Sequence, residues 1–294
     1  MGSGKAERSE KAKSKGNKNT PLLTNPKPTK FKNKKKHHPP PRLGGSKKKP
    51  IPQTKNNQPN NNNNNEAEAV VPPATTSQQL RFFIDEFQSA NGVQLSTLEL
   101  ESIKDSSFVE LSPQLGGQDV EHLGKHMKAV FGSSWKQALS QGQLVEGNID
   151  PGSPAVLIIS TSALRCIELL RGVRSLTKEC HAVKLFSKHM KVEEQVALLK
   201  NRVNFASGTP NRLKKLIDIE ALGLSRLTMI LLDMHTDVKG YSLLTLPQVR
   251  DEFWDLYKSY FHQRLLQGDL RICLFGPIPN DNELRGKKRR ASDE

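Results

Sequence analysis

Three short polar segments hold the residue types best suited to chemistry. Ser160-Thr161-Ser162-Ala163-Leu164-Arg165 closes the apolar run 155–160. Hydroxyls at such a point cap the next helix, and that helix's free N–H groups can take a phosphate, with Arg165 one turn in. Ser207-Gly208-Thr209-Pro210-Asn211-Arg212 follows a second run at 202–206. Gly208 permits an unusual turn, Thr209 is a natural cap, and Pro210 suits the first helical position. Arg212, Lys214 and Lys215 then crowd the first turns of that helix. Cations there oppose the helix dipole, and a bound anion relieves them. Asp233-Met234-His235-Thr236-Asp237 follows a third run at 227–232. Two carboxylates bracketing an imidazole suit metal ligation or general-base work. Ordinary caps and a polar turn explain the same residues without any ligand. No other His, Asp or Cys group converges on 233–237 by spacing.

These segments must be positioned by the elements around them. The apolar runs 155–160, 181–185, 202–206, 227–232 and 270–275 read as strands. Helical spacing fills 162–174, 191–200, 210–222 and 246–265 between them. Such alternation implies a parallel sheet with helices on both faces. In that architecture ligands bind beyond the carboxyl ends of the strands, where all three segments lie. Upstream, Leu80, Phe83, Ile84 and Phe87 recur at helical spacing until Asn91-Gly92 stops them. Residues 118–140 resume a helical pattern, with Trp135 covering one edge.

The 294-residue chain carries 45 Lys and Arg against 30 Asp and Glu, a net charge of +15. That charge sits at the ends: +13 in residues 1–77, +3 in 285–294, and −1 in 78–284. Residues 1–77 also hold 11 of the 18 prolines and an Asn run at 60–65. Their few large apolar residues predict a disordered basic arm. The body 78–284 is long enough for one core, and 285–294 reads as a basic tail. Lys30–Lys36 and Lys287–Arg290 suit phosphate contact or nuclear import. Ser292, after Arg289-Arg290-Ala291, resembles a basophilic kinase site.

Several classes drop out. No apolar stretch of 18 residues exists, so no transmembrane helix is expected. The first residues have no apolar core, which argues against a secretory signal. Cys166, Cys180 and Cys273 lie too far apart for a zinc motif or a disulfide framework. Gly2-Ser3-Gly4-Lys5 and Gly44-Gly45-Ser46-Lys47 mimic half a P-loop but follow no strand. No cofactor and no metal are expected.

The order of the strand-end motifs resembles the first RecA-like domain of DEAD-box RNA helicases. Ser160–Arg165 looks like an eroded P-T-R-E-L-A segment, and Thr209-Pro210-Asn211-Arg212 matches three residues of T-P-G-R. Leu231-Leu232-Asp233-Met234-His235-Thr236 sits where V-L-D-E-A-D would, keeping only its first Asp. In that family the first two segments grip the RNA backbone and the third serves ATP hydrolysis through magnesium. Residues 131–139 stand where the P-loop would lie, and Lys136 is not preceded by Gly. Met234 replaces the catalytic Glu, and no second RecA-like lobe is expected after 270–275.

Across residues 80–278 the chain more closely resembles the 90S pre-ribosomal complex subunit family, small-subunit biogenesis proteins with a degenerate DEAD-box fold. The segments carrying this are 95–111, 155–165, GTPNRL at 208–213 and the LLD strand end. The resemblance implies a nuclear and nucleolar role with pre-ribosomal RNA and the proteins of the 90S particle. The expectation is therefore a single RecA-like parallel sheet without a P-loop, behind a basic arm. It binds RNA without catalysis, as a monomer within a larger assembly and away from membranes. Its RNA contacts are Ser160, Thr161, Arg165, Gly208, Thr209, Arg212 and Lys214. Backbone recognition is expected, because aromatics are only 5% and form no evident stacking platform. Two alternatives stay open: a diverged nucleotide hydrolase using Asp233, and a scaffold touching only protein.

Overall fold

In a computed structural model, which describes residues 72–141, 151–188 and 190–279, the first helix is α1, Thr76–Asn91. Thr75 caps it in a reciprocal pair with Gln78, and Gly92 ends it at φ 61°. That left-handed conformation suits a residue without Cβ. α2 (Thr97–Ser102) and α3 (Val120–Phe131) follow. The helical pattern expected to run on to 140 breaks at Gly132, whose φ is 54°. A short 3-10 turn and a π turn, Lys136–Ser140, continue from there.

Strands and helices then alternate. In chain order they are β1 (Val156–Ile159), α4 (Ala163–Gly172), β2 (Val183–Leu185), α5 (Val192–Leu199) and β3 (Phe205–Gly208). Next come α6 (Pro210–Asp218), β4 (Met229–Asp233), α7 (Pro247–Leu256), α8 (His262–Gln267) and β5 (Arg271–Phe275). A π turn at Tyr257–Phe261 splits the single helix expected over 246–265 into α7 and α8. Every pairing is parallel, and the strand order is β2-β3-β1-β4-β5. The fold is the expected RecA-like one, a parallel sheet flanked by helices.

One strand differs in position. The third was expected at 202–206 and forms at 205–208 instead. Arg202 and Asn204 are polar anchors below the sheet, so the ladder starts beyond them. Gly208 is consequently the last strand residue and not part of a turn. A Cβ there would lie 2.2 Å from the Leu185 carbonyl oxygen, so glycine is needed for close approach of β2 to β3.

The strand period of two divides the core. Leu157, Ile159, Ile230, Leu232, Ile272 and Leu274 face one side, packed under α1 and α5 to α8. Val156, Ile158, Met229, Leu231 and Cys273 face the other, under α3 and α4. Phe83 meets Trp254 and Tyr257 edge-on, each with ring centroids 5.1 Å apart. Such pairs contribute about 0.5–1.5 kcal/mol each beyond burial, and they fasten α1 to α7 and to the π turn that follows it. Burial pushes the Cys166 and Cys273 thiols up to about 12, so both are inert apolar fillers. No described helix is long and apolar enough to cross a membrane. The tail 285–294 and all of the arm except 72–77 lie outside the described residues.

The P-loop position is also corrected. A P-loop joins a strand to a helix. Phe108 bridges Ile272 in parallel, and Val109 N–H donates to the Ile272 carbonyl at 2.8 Å. The strand-like edge at 108–111, the loop 112–119 and α3 therefore hold that place. Residues 131–139, expected there, continue α3 at its far end.

Candidate functional site

The strand order reverses direction between β1 and β4, and that switch point is where open α/β sheets hold ligands. Ile159 pairs with Leu232, so Ser160 and Asp233 emerge side by side. Asp233 is buried, 1% exposed. Ser160 Oγ donates to its Oδ2 at 3.0 Å. Arg165 reaches back from the first turn of α4 and closes a bidentate pair, Nε to Oδ2 at 2.9 Å and Nη2 to Oδ1 at 3.1 Å. His235 Nδ1 donates to Oδ1 at 3.0 Å. Both carboxylate oxygens are thus used twice.

Burial alone would raise the Asp233 pKa. Hydrogen bonds from His235 and Arg165, with the Arg165 charge, outweigh it and hold the carboxyl below its usual range. Arg165 is likewise opposed by burial but raised by Asp233, with Glu168 adding to it. The result is a closed ion pair. Its geometry is that of a bidentate Arg–carboxylate lock. Among the described residues no group of three His, Cys, Asp or Glu side chains could hold a metal ion.

The other expected residues cluster next door. Ser160 N–H donates to the Gly208 carbonyl at 3.2 Å, so the starts of α4 and α6 are neighbours. Ser162, one residue beyond the expected Ser160 and Thr161, is the residue that caps α4. Thr209 stands at the cap position of α6 but makes no capping hydrogen bond with its side chain, and Pro210 takes the first turn. The structure sets Ser160 beside Gly208 and keeps Arg165 next to Ser160 on their shared partner Asp233, while Arg212 and Lys214 turn to separate partners. Arg212 Nη1 bonds Gln195 Oε1 at 2.7 Å and the Met190 carbonyl at 3.2 Å. Lys214 bonds Asp218 at 3.2 Å and approaches Asp255 at 3.8 Å. Its hydrogen bond to Asp218 raises the Lys214 pKa. Lys214 thus has carboxylate partners, whereas the partners of Arg212 are neutral.

At the P-loop position the start of α3 is filled by its own chain. Asp119 Oδ1 accepts from the Glu121 and His122 N–H groups at 2.9 and 3.0 Å. Glu121 adds a second negative charge in the first turn. A phosphate would have to displace one carboxylate and face another.

Sequence reasoning missed the buried amides that hold this arrangement. Gln195 donates to the carbonyls of Lys184 and Phe186 while accepting from Arg212. Gln79 donates to the Ala74 and Val109 carbonyls and accepts from Leu274 N–H. The available signal was a glutamine on an otherwise apolar helix face.

Comparison with known proteins agrees on kinship. Human Protein CMSS1 is 29% identical over 201 residues, covering 67% of each chain. Protein CMSS1 of Xenopus laevis is 29% identical over 185 residues, 61% of this chain and 62% of the relative. Protein CMS1 of Chaetomium thermophilum is 38% identical over 158 residues, 50% of this chain and 58% of the relative. The chain thus matches from 58% to 67% of the length of these relatives. Among solved structures, Saccharomyces cerevisiae Dbp5 bound to RNA and ADP BeF3 is similar at 15% identity and a TM-score of 0.36, over 68% of this chain and 49% of that one. A DEAD box protein from Methanococcus jannaschii is similar at 18% identity and a TM-score of 0.34, over 68% and 52%. A family model described as the U3-containing 90S pre-ribosomal complex subunit matches residues 5–275, and the chain belongs to that family.

Proposed function

We propose that this protein is a non-catalytic, RNA-contacting subunit of the small-subunit precursor particle, acting in the nucleolus. The observation that carries the non-catalytic part is the Arg165–Asp233 lock. The one carboxylate resembling a hydrolytic Asp is saturated by the Arg resembling an RNA-gripping residue. A magnesium ion would have to break that pair and expose a buried charge, which is strongly unfavourable. The Asp119 cap, set where a P-loop would sit, supports the same reading.

RNA affinity then has two sources. The basic residues of 1–77 and 285–294 supply salt-sensitive, sequence-independent attraction. At the strand ends, Thr161 and Thr209 flank the backbone amides of two adjacent helix starts. Ser160 and Gly208 are buried and shape that crevice. Arg165 and Lys214 reach it only by sharing their present carboxylates. Arg212 is better placed, because it spends only Nη1 on described partners and keeps Nε and Nη2 for a phosphate.

The test is ultraviolet cross-linking of the tagged protein in cells, with sequencing of the attached RNA. Enrichment of pre-ribosomal RNA is expected. Background RNA alone, from a protein still in the particle, would contradict RNA contact and leave a protein-only scaffold.

A further inference from the structure

The opposite end of the sheet carries a second constellation. Below the starts of β1, β4 and β5 lies a cavity of about 540 Å³, lined by Arg202, Arg226, Arg271, Gln137 and Phe131. Asn204, fully buried, joins two of these arginines. The Asn204 amide donates to the carbonyls of Leu139 and Gln141 at 3.2 and 3.0 Å. Its Oδ1 accepts from both Arg202 Nε and Arg226 Nη2, each at 3.2 Å. Two guanidinium groups are thus held against one neutral oxygen. Arg226 is otherwise bonded to the Ser153 and Val203 carbonyls, also neutral. Burial, then the Arg202 charge, lowers its pKa. Arg271, half-buried, lines the same cavity and bonds no described side chain.

A neighbouring depression of about 650 Å³ shares Gln137 and Gln141 with this cavity and is lined by Trp135, Lys136, Lys178 and Glu179. Trp135 is half-exposed. Lys128 lies 4.7 Å from its ring centroid and Lys136 5.9 Å. The two spaces therefore join an aromatic face, flanked by ammonium groups, to a set of convergent guanidiniums. Each is within the size range of sites that enclose a small ligand. A duplex backbone is convex and cannot enter such spaces, whereas one unstacked nucleotide can. Single strands bind in this way, with bases on aromatic faces and phosphates on cations.

We propose that the N-terminal edge of the sheet is a binding site for single-stranded RNA, placing a base against Trp135 and phosphates on Arg226 and Arg271. This rests on the RNA-contacting reading and adds a face that the strand-end residues do not touch.

The experiment uses the full chain at about 0.2 M salt, where contributions of the arm are weakened. A hexameric oligoribonucleotide is titrated while its anisotropy and the protein's tryptophan emission are both followed. Trp254 is buried, so quenching reports Trp135, and Trp135→Phe identifies it. Quenching by the single strand is expected, and a blunt RNA duplex should not produce it. Arg271→Gln, which breaks no described side-chain bond, should lower the salt slope by about one phosphate. Trp135→Leu should weaken the oligonucleotide on the order of five- to hundredfold. RNA binding by anisotropy, without quenching and unchanged in both variants, would overturn this site while leaving the RNA-contacting reading intact. Quenching by a polyglutamate peptide but not by RNA would assign the site to an acidic protein and overturn the proposal. No RNA binding at all would remove both readings.

Discussion

The two ends of one sheet treat charge in opposite ways. At the carboxyl ends of the strands, Asp233 is saturated by Ser160, Arg165 and His235, and Lys214 has its own carboxylates. At the amino ends, Arg226 and Asn204 meet through neutral oxygens. A fold of this class ordinarily carries its ligand at the first end. Here that end has become a structural joint, and guanidinium groups have collected at the other. Position in a fold therefore assigns function less well than the partners each charged group already has.

The largest test of this contrast is Asp233→Asn. It leaves Arg165 beside a neutral amide in a mostly buried site, and one-sided removal of a buried pair costs about 3 kcal/mol. For a body of this size the melting temperature should fall by ~6–12 °C, measured by scanning calorimetry. A change within error would mean that the lock is not structural and that Asp233 is available for chemistry. Next is Asn204→Leu at the other end. It orphans the Leu139 and Gln141 carbonyls and brings the two guanidiniums together without their shared acceptor. Roughly 2 kcal/mol is expected from denaturant unfolding, and added pyrophosphate should return part of it by binding the folded state.

How much of this contrast was readable beforehand depends on range. The strands at 156–159, 229–233 and 271–275 were legible because continuous apolar runs suit a sheet buried on both faces. The starts of α4 and α6 were legible from the Ser160–Ser162 cluster and from Pro210, since capping is local. The third strand was misplaced because residues 202–206 read as one run, whereas Asn204 and Arg202 are spent on polar contacts below the sheet. The Arg165–Asp233 lock was not legible, because its partners are 68 residues apart and meet only through the β1–β4 register. Trp135 and the three arginines also looked unrelated, as Arg202 precedes β3, Arg226 precedes β4 and Arg271 opens β5.

Acid sharpens the comparison. The folded-state pKa of Asp233 is depressed, so its contribution is full above the unfolded carboxyl value of about 3.9. It is lost as pH falls through the lower folded value. The stability gap between wild type and Asp233→Asn should be constant from pH 7 to about 5 and shrink below about 4, as urea unfolding at stepped pH would show. A gap that grows on acidification would contradict the assigned ion pair.

The smallest expected effect is that of Arg212→Ala. Its loss should reduce the salt slope of RNA binding by about one and weaken all sequences alike, measured by anisotropy across salt concentrations. An unchanged slope would remove Arg212 from the RNA surface.

The most direct test is mass-spectrometric mapping of RNA-linked peptides after ultraviolet irradiation of the native particle. Adducts on the segment 131–141, around Trp135, and on 226–228 would place RNA at the open end of the sheet, as proposed. Adducts confined to 160–168 and 233–237, with none near Trp135, would mean that the Arg165–Asp233 lock opens onto RNA and that the roles of the two ends are reversed.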